Sequence, residues 1–277
     1  MRIGFQGDLG AYSHEAIVQG FGKDHEVAPS NGFRDVFRQA ADGRTDAGLV
    51  PIENALTGSI HEVYDLLLAH DLPIVAEVTL PIRHALLGVP GSSLERIETV
   101  HSHPQALWQC EGFLDELGAE LIADDDTAGA ARWVAEQNDP TQAAIAGRLA
   151  AELYNLATLT REIATQPHNA TRFVLVGDPS STVEKNAPHK TSLVVELAHE
   201  PGALYDALLP FSEHGVNLTK LESRPLGDAP WQYRFYLDLE GHMAPPSVQA
   251  ALDELGQRVA SYQVLGTYPS TRGGDAA

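Results

Sequence analysis

Apolar residues recur along the first two-thirds of the chain in two alternating rhythms. Short apolar runs predict strands at residues 2–6, 46–51 and 72–79, the second breaking at Pro51. Between them, spacings of three and four predict helices at 12–19, 31–41 and 59–69; Phe33, Val36, Phe37 and Ala40 form the stripe of the second. The middle repeats the theme. Strands are expected at 85–89, 99–101, 120–123 and 143–146, and helices at 104–117, 128–137 and 148–154. A strand at 171–176 can return to the first sheet. This alternation specifies an α/β fold, and two α/β lobes joined by crossovers place a ligand cleft between them.

Near residue 180 the rhythm changes. Residues 180–188 form a polar, proline-containing linker. Beyond it come a strand at 191–198, a helix at 202–213, strands at 216–223 and 231–240, a helix at 246–259 and a strand at 262–268. The order βαββαβ is that of a ferredoxin-like module. Residues 271–277 read as a frayed tail.

The length of 277 residues suits two domains. Lys and Arg number 18 against 38 Asp and Glu, a formal net charge of -20. Such a field repels nucleic acid and anionic membranes, so neither is an expected partner. An anionic substrate then needs local positive potential from arginine or helix N-termini. Cys110 is the only cysteine, which excludes disulfides within the chain and cysteine-cluster metal sites. No basic and apolar leader precedes the strand at Met1-Arg2-Ile3-Gly4, and no apolar run is long enough to span a bilayer. The expected location is the cytoplasm.

Five groups of residues carry candidate chemistry. Gly7-Asp8-Leu9-Gly10-Ala11-Tyr12-Ser13 joins a strand to a helix. Its glycines allow close backbone approach, its amides attract anions and Ser13 adds a hydroxyl; a structural turn accounts for it equally well. Val50-Pro51-Ile52-Glu53-Asn54, followed by Thr57-Gly58-Ser59, brings a carboxylate, an amide and two hydroxyls to a strand end. Ser59 and Glu62 read as a capping box, whereas Glu53 and Asn54 have no such explanation. In His101-Ser102-His103-Pro104-Gln105 the histidines share a face, but no third metal ligand follows, so they read as polar loop residues. Asp124-Asp125-Asp126 complements the dipole of the helix after it. Asn169-Ala170-Thr171-Arg172-Phe173 sets a hydroxyl beside a guanidinium where a strand begins, as an ordinary strand start also would. No Gly-x-Ser-x-Gly elbow accompanies it.

Together these motifs resemble the prephenate dehydratase family, in order and over nearly the whole chain. The matching segments are Gly7–Ser13, Pro51–Asn54, Ser102–Gln105 and Thr171-Arg172-Phe173. Gly202-Ala203-Leu204 and Glu222-Ser223-Arg224-Pro225 match the family's regulatory ACT domain. Asp8 stands where many relatives carry Pro, and Ala55 where they usually carry Ser. Residues 5–7, 10–13, 64–68 and 126–131 look like the plant arogenate dehydratase branch, which keeps arogenate open as the substrate.

The resemblance implies a two-lobed catalytic region similar to periplasmic binding proteins over 1–179. Its lobes are 1–77 with 165–179, and 78–164. A linker at 180–190 and an ACT domain at 191–270 follow. It implies decarboxylation and dehydration of prephenate to phenylpyruvate, without metal or other cofactor. Thr171 then resembles the family's essential threonine, with Asn54, Glu53, Ser102 and Gln109 as the other catalytic candidates. Gly10, Ala11, Tyr12, Ser13, Gln105, Thr127, Arg172 and Phe173 are the substrate-binding candidates. Phenylalanine is the expected allosteric ligand, held near Gly202, Ala203, Leu204, Asn217, Leu218, Glu222, Ser223 and Arg224. A homodimer or homotetramer is implied. A non-catalytic amino-acid-binding regulator of the same fold is the reading from a different class.

Overall fold

The computed structural model describes residues 1–178, 188–226 and 229–270, and of 229–231 the backbone alone. The expected linker at 180–188, except Pro188, and the expected tail at 271–277 lie outside the described residues.

The chain opens with β1 (Arg2–Gln6), α1 (Tyr12–Phe21), β2 (Glu26–Ser30), α2 (Phe33–Ala41), β3 (Ala47–Asn54), β4 (Gly58–Ser59), α3 (His61–His70) and β5 (Ile74–Pro81). There follow β6 (Ala85–Gly88), β7 (Thr99–Ser102), α4 (Pro104–Gln109), α5 (Glu111–Leu117), β8 (Glu120–Ala123), α6 (Thr127–Gln137), β9 (Gln142–Ala146), α7 (Arg148–Leu153), β10 (Ala157–Arg161) and β11 (Ala170–Gly177). The last elements are β12 (His189–Glu196), α8 (Ala203–Glu213), β13 (Leu218–Leu226), β14 (Ala229–Glu240), α9 (Pro246–Arg258) and β15 (Ser261–Pro269).

Several expectations change. The strand expected to break at Pro51 runs on to Asn54. Its pairing with β1 ends at Leu49, so on that side the ladder asks nothing of the missing proline N–H. Ser59 lies in β4 opposite Glu53, and the helix begins two residues later. The helix expected over 104–117 is two helices meeting at Cys110 (φ -110°, ψ 14°). β2 and β10 lie outside the expected elements; each is the end strand of its sheet.

Contacts divide the chain into two compact units: Met1–Leu66 with Val78–Phe173, and Leu67–Glu77 with the described residues from Val174 on. One sheet has the order β2-β1-β3-β11-β5, with β4 paired to β3. β1 runs parallel to β2 and β3, and β3 is buried along nearly its whole length, which explains its continuous apolar run. Ile3, Phe5, Leu49 and Val50 are fully buried there, as are Val36 and Phe37 of α2. Truncating one such side chain to alanine costs about 2–5 kcal/mol. A second sheet, β10-β6-β9-β7-β8, has β7 parallel to β8 and β9. These α/β lobes match the expected fold class.

The second unit carries the sheet β13-β14-β12-β15, antiparallel throughout, with α8 and α9. Leu193, Val195, Phe211, Leu237, Leu252 and Leu255 form its core. This is the expected βαββαβ module. Among the described residues no helix is long and apolar enough to cross a membrane.

Candidate active site

A cleft of about 520 Å³ opens within the first unit. Residues at or just beyond the C-terminal ends of parallel strands line it: Gln6 and Gly7 after β1, Asn31 after β2, His103 after β7 and Asp125 after β8. Those ends are where open α/β sheets bind ligands, because strand and helix termini there leave backbone groups exposed. Asn54 closes β3 on the same cleft, and Asn169, Thr171 and Phe173 reach it from β11.

The cleft wall holds a connected set of neutral polar groups. Asn54 Nδ2 donates to Asn169 Oδ1 at 2.7 Å and to Thr171 Oγ1 at 2.9 Å. Its Oδ1 accepts the Leu56 and Thr57 amides at 3.0 and 3.1 Å, so the turn after β3 holds the side chain in place. The Thr171 hydroxyl therefore receives an N–H and keeps its own proton to give. Asn169 Nδ2 donates to Gln109 Oε1 at 3.2 Å, and His84 Nε2 lies 2.7 Å from the same oxygen. The other His84 nitrogen is 2.7 Å from the Tyr12 hydroxyl. Burial lowers the His84 pKa and raises that of Tyr12 well above 10, so the ring is held neutral and the phenol protonated.

Gly10, at φ +94°, lets the chain pass Ala150, whose Cα would lie 2.9 Å from any added Cβ. Ala11 caps α1 without a side-chain bond, so amides of the first helical turn remain for a ligand. Asp126 caps α6, accepting the Ala128 and Gly129 amides at 2.8 Å each. His103 caps α4 through the Gln105 amide at 3.2 Å.

The structure brings together Ala11, Tyr12, Ser13, Asn54, Gln105, Gln109, Thr127, Thr171 and Phe173 along the cleft. Four candidates are not among its lining residues. The Gly10 amide is engaged, donating to His14 Nδ1 at 3.0 Å. Ser102 is fully buried, and its hydroxyl donates to the Ile145 carbonyl at 2.7 Å, which ties β7 to β9. Arg172 alternates with Thr171 along β11 and faces the other way; its guanidinium lies 3.3 Å from Glu53. Arg172 and Glu53 thus form an ion pair off the cleft. Tyr12 lines the cleft, but its hydroxyl is engaged by His84 Nδ1 at 2.7 Å and by the Arg83 carbonyl at 3.3 Å.

His84, Asn169, Thr57 and His103 line the cleft from outside the candidate set. Asn169 had a signal, because period two sets it on the face of Thr171 and Phe173. His84 stands between two strands outside every motif. His101 lies in the expected strand, and it is buried there, bonded to Asp124 and Gln142 at 3.2 and 3.0 Å, where the motif had suggested a polar loop histidine. Among the described residues no three His, Cys, Asp or Glu side chains cluster as a metal site. Burial pushes the Cys110 thiol up to about 12, so it is inert.

In the second unit Gly202 begins α8 in the left-handed region at φ +90°. Ala203 and Leu204 form the first helical turn. Asn217 precedes β13 and donates to Glu240 at 3.0 Å. Leu218, Glu222, Ser223 and Arg224 all lie on β13, paired to β14.

Comparison with known proteins adds the family context. A family model described as "Prephenate dehydratase" matches residues 3–181, and one described as "ACT domain" matches 191–257. The "Bifunctional chorismate mutase/prephenate dehydratase" of Enterobacter agglomerans is 40% identical over 273 residues, 97% of this chain and 70% of that one. "Arogenate dehydratase/prephenate dehydratase 2, chloroplastic" of Arabidopsis thaliana is 41% identical over 278 residues, 97% of this chain and 73% of that one. The solved prephenate dehydratase of Arthrobacter aurescens in complex with L-Phe superposes with a TM-score of 0.88 at 31% identity, covering 100% of this chain and 92% of that one. GqqA, described as a novel type of quorum quenching acylase, gives 0.89 at 36% identity, covering 98% of both chains.

Proposed function

Since the chain belongs to the prephenate dehydratase family, we propose that the cleft around Thr171 binds prephenate and turns it into phenylpyruvate. The ring carboxylate leaves as carbon dioxide. Its bonding pair moves through the ring and expels the C4 hydroxyl, which takes a proton and departs as water. Aromatisation drives the step, so the protein has to bind two carboxylates, orient the ring and deliver one proton.

The observation that carries the reading is the Thr171 hydroxyl, buried at the cleft wall and receiving the Asn54 N–H at 2.9 Å. That bond polarises the hydroxyl and leaves its proton for the departing oxygen. Asn54 and Asn169 act as positioning residues, because their polar atoms are spent on one another, on Thr171 and on the following turn. Among the described residues the cleft lining includes no lysine or arginine. The substrate carboxylates are accordingly held by hydrogen-bond donors: the first-turn amides of α1, Ser13 and the amides of Gln105 and Gln109.

Arogenate carries an amine where prephenate carries a ketone, and its recognition calls for a buried carboxylate. The cleft carboxylates Glu62 and Asp125 are exposed, and Asp126 caps α6. This favours prephenate. The likeness to GqqA raises acyl hydrolysis as another chemistry. An amide at Thr171 is no general base, so the hydroxyl lacks activation as a nucleophile.

Residues 191–270 are read as the ACT regulatory domain, binding phenylalanine near the start of α8 and lowering activity in a homodimer or homotetramer. The catalytic region is read as 1–179. Side-by-side turnover of prephenate and arogenate, with and without phenylalanine, tests the function. Prephenate is the expected substrate; a clear preference for arogenate would transfer the reading to that branch.

A further inference from the structure

His84 lies between the cleft and a separate cavity of about 370 Å³, whose wall it shares with Arg83, Arg148 and Glu15. It is 2% exposed, and both ring nitrogens are engaged. The Gln109 oxygen can only accept, so the nitrogen 2.7 Å from it, Nε2, carries the proton. Nδ1 is then a lone pair, filled by the Tyr12 O–H at 2.7 Å. Gly147 makes room for the tyrosine, since any Cβ there would lie 2.9 Å from the Tyr12 ring.

The direction of the Gln109 amide is anchored from the backbone. The Leu56 and Thr57 amides fix Asn54 Oδ1, Asn54 Nδ2 then donates to Asn169 Oδ1, and Asn169 Nδ2 donates to the Gln109 oxygen, which His84 meets from its other side. With the oxygen so occupied, the two N–H groups are what Gln109 offers to the cleft it lines. A reversed amide would set its N–H groups against two other donors and turn its oxygen toward an anionic substrate.

We infer that His84 is a positioning residue of this site: with Tyr12 at Nδ1, its Nε2–H orients the Gln109 amide so that N–H groups meet an anionic oxygen of the substrate. The inference rests on the dehydratase reading for its substrate and on the hydrogen-bond geometry for its mechanism. Asn54 donates to both Asn169 and Thr171, and Asn169 donates to Gln109. With Nε2 protonated toward Gln109, the Tyr12 proton turns to His84 Nδ1 at 2.7 Å in preference to the Arg83 carbonyl at 3.3 Å.

A double-variant cycle tests it. His84→Leu should lower kcat/KM for prephenate by roughly 10- to 100-fold, the range for partners that orient a functional group. Gln109→Ala should lower it at least as much. The double variant should be no worse than Gln109→Ala alone, because His84 acts through Gln109. His84→Gln, which returns an N–H near the position of Nε2, should recover most of the loss. Losses that multiply, or full activity in His84→Leu, overturn the inference. Nitrogen NMR of the wild-type ring reads the tautomer directly, even where a variant fails to fold. Protonated Nε2 with bare Nδ1 is expected, and the opposite tautomer contradicts the inference. Should the wild type turn over neither prephenate nor arogenate, the dehydratase reading falls, and the ring spectrum still decides the tautomer.

Discussion

The two compact units bury polar groups in opposite ways. Around the cleft, Asn54, Asn169, Gln109, Thr171 and His84 satisfy one another as neutral groups. In the second unit, Lys190 Nζ lies 2.7 and 2.9 Å from the two oxygens of Glu77, with side-chain exposures of 4% and 1%. Asp238 is buried there too, accepting from Ser192 at 2.5 Å. A neutral network fixes direction without adding to the negative charge that Glu62, Asp125 and Asp126 already bring to the cleft. A buried ion pair ties its segments together at the risk that losing either member strands a charge. Around the cleft the polar groups serve orientation, and at the Lys190–Glu77 pair they serve assembly of the fold.

That contrast breaks most sharply at Thr171. Thr171→Ala should lower kcat by about 10²- to 10⁴-fold, the usual scale for one proton-transfer group, at a stability cost of only about 1 kcal/mol for the lost Asn54 hydrogen bond. Phenylpyruvate formation and a thermal melt read both; near-normal kcat would remove the donor role. The second unit should behave in reverse. Glu77→Ala leaves the Lys190 ammonium buried without its main partner and should cost about 3–5 kcal/mol in urea unfolding. The pair Glu77→Leu with Lys190→Met should recover most of it, and an unrecovered loss would mean that packing matters there more than charge.

Acid should weaken the first unit next. Burial holds His84 and His14 below the usual 6.5, so the unfolded chain takes up their protons first as pH falls. Stability is full above pH 6.5 and drops below it, by up to about 1.4 kcal/mol per pH unit for each histidine, until the folded rings also titrate. Urea midpoints from pH 7.5 to 5 follow this, and a flat profile means the rings accept protons within the fold. The smallest effect is expected at Arg172. Arg172→Lys should cost about 1 kcal/mol of stability by loosening the Glu53 pair, with KM unchanged. A raised KM with an unchanged melt would return Arg172 to the substrate.

Much of this architecture is legible along the chain, because apolar period marks buried faces directly. β1, β8 and α8 fall within a residue of their expected bounds. β2 hides because Pro29 interrupts it, which an end strand tolerates. Cleft membership is legible only as far as side-chain direction is. Period two along β11 separates Thr171 from Arg172, although the motif presents them together. Ser102 belongs to a motif yet serves the sheet, and His84 belongs to none yet lines the cleft. Both depend on pairings between residues distant in sequence, Ser102 with Ile145 and His84 with Tyr12, which no local pattern contains.

The central claim is that these neutral side chains convert prephenate without help from a metal or an organic cofactor. Chelator-treated, dialysed protein given prephenate alone should release carbon dioxide and phenylpyruvate in equal amounts at the untreated rate. Absence of turnover, or turnover restored only by adding a metal ion, would contradict it.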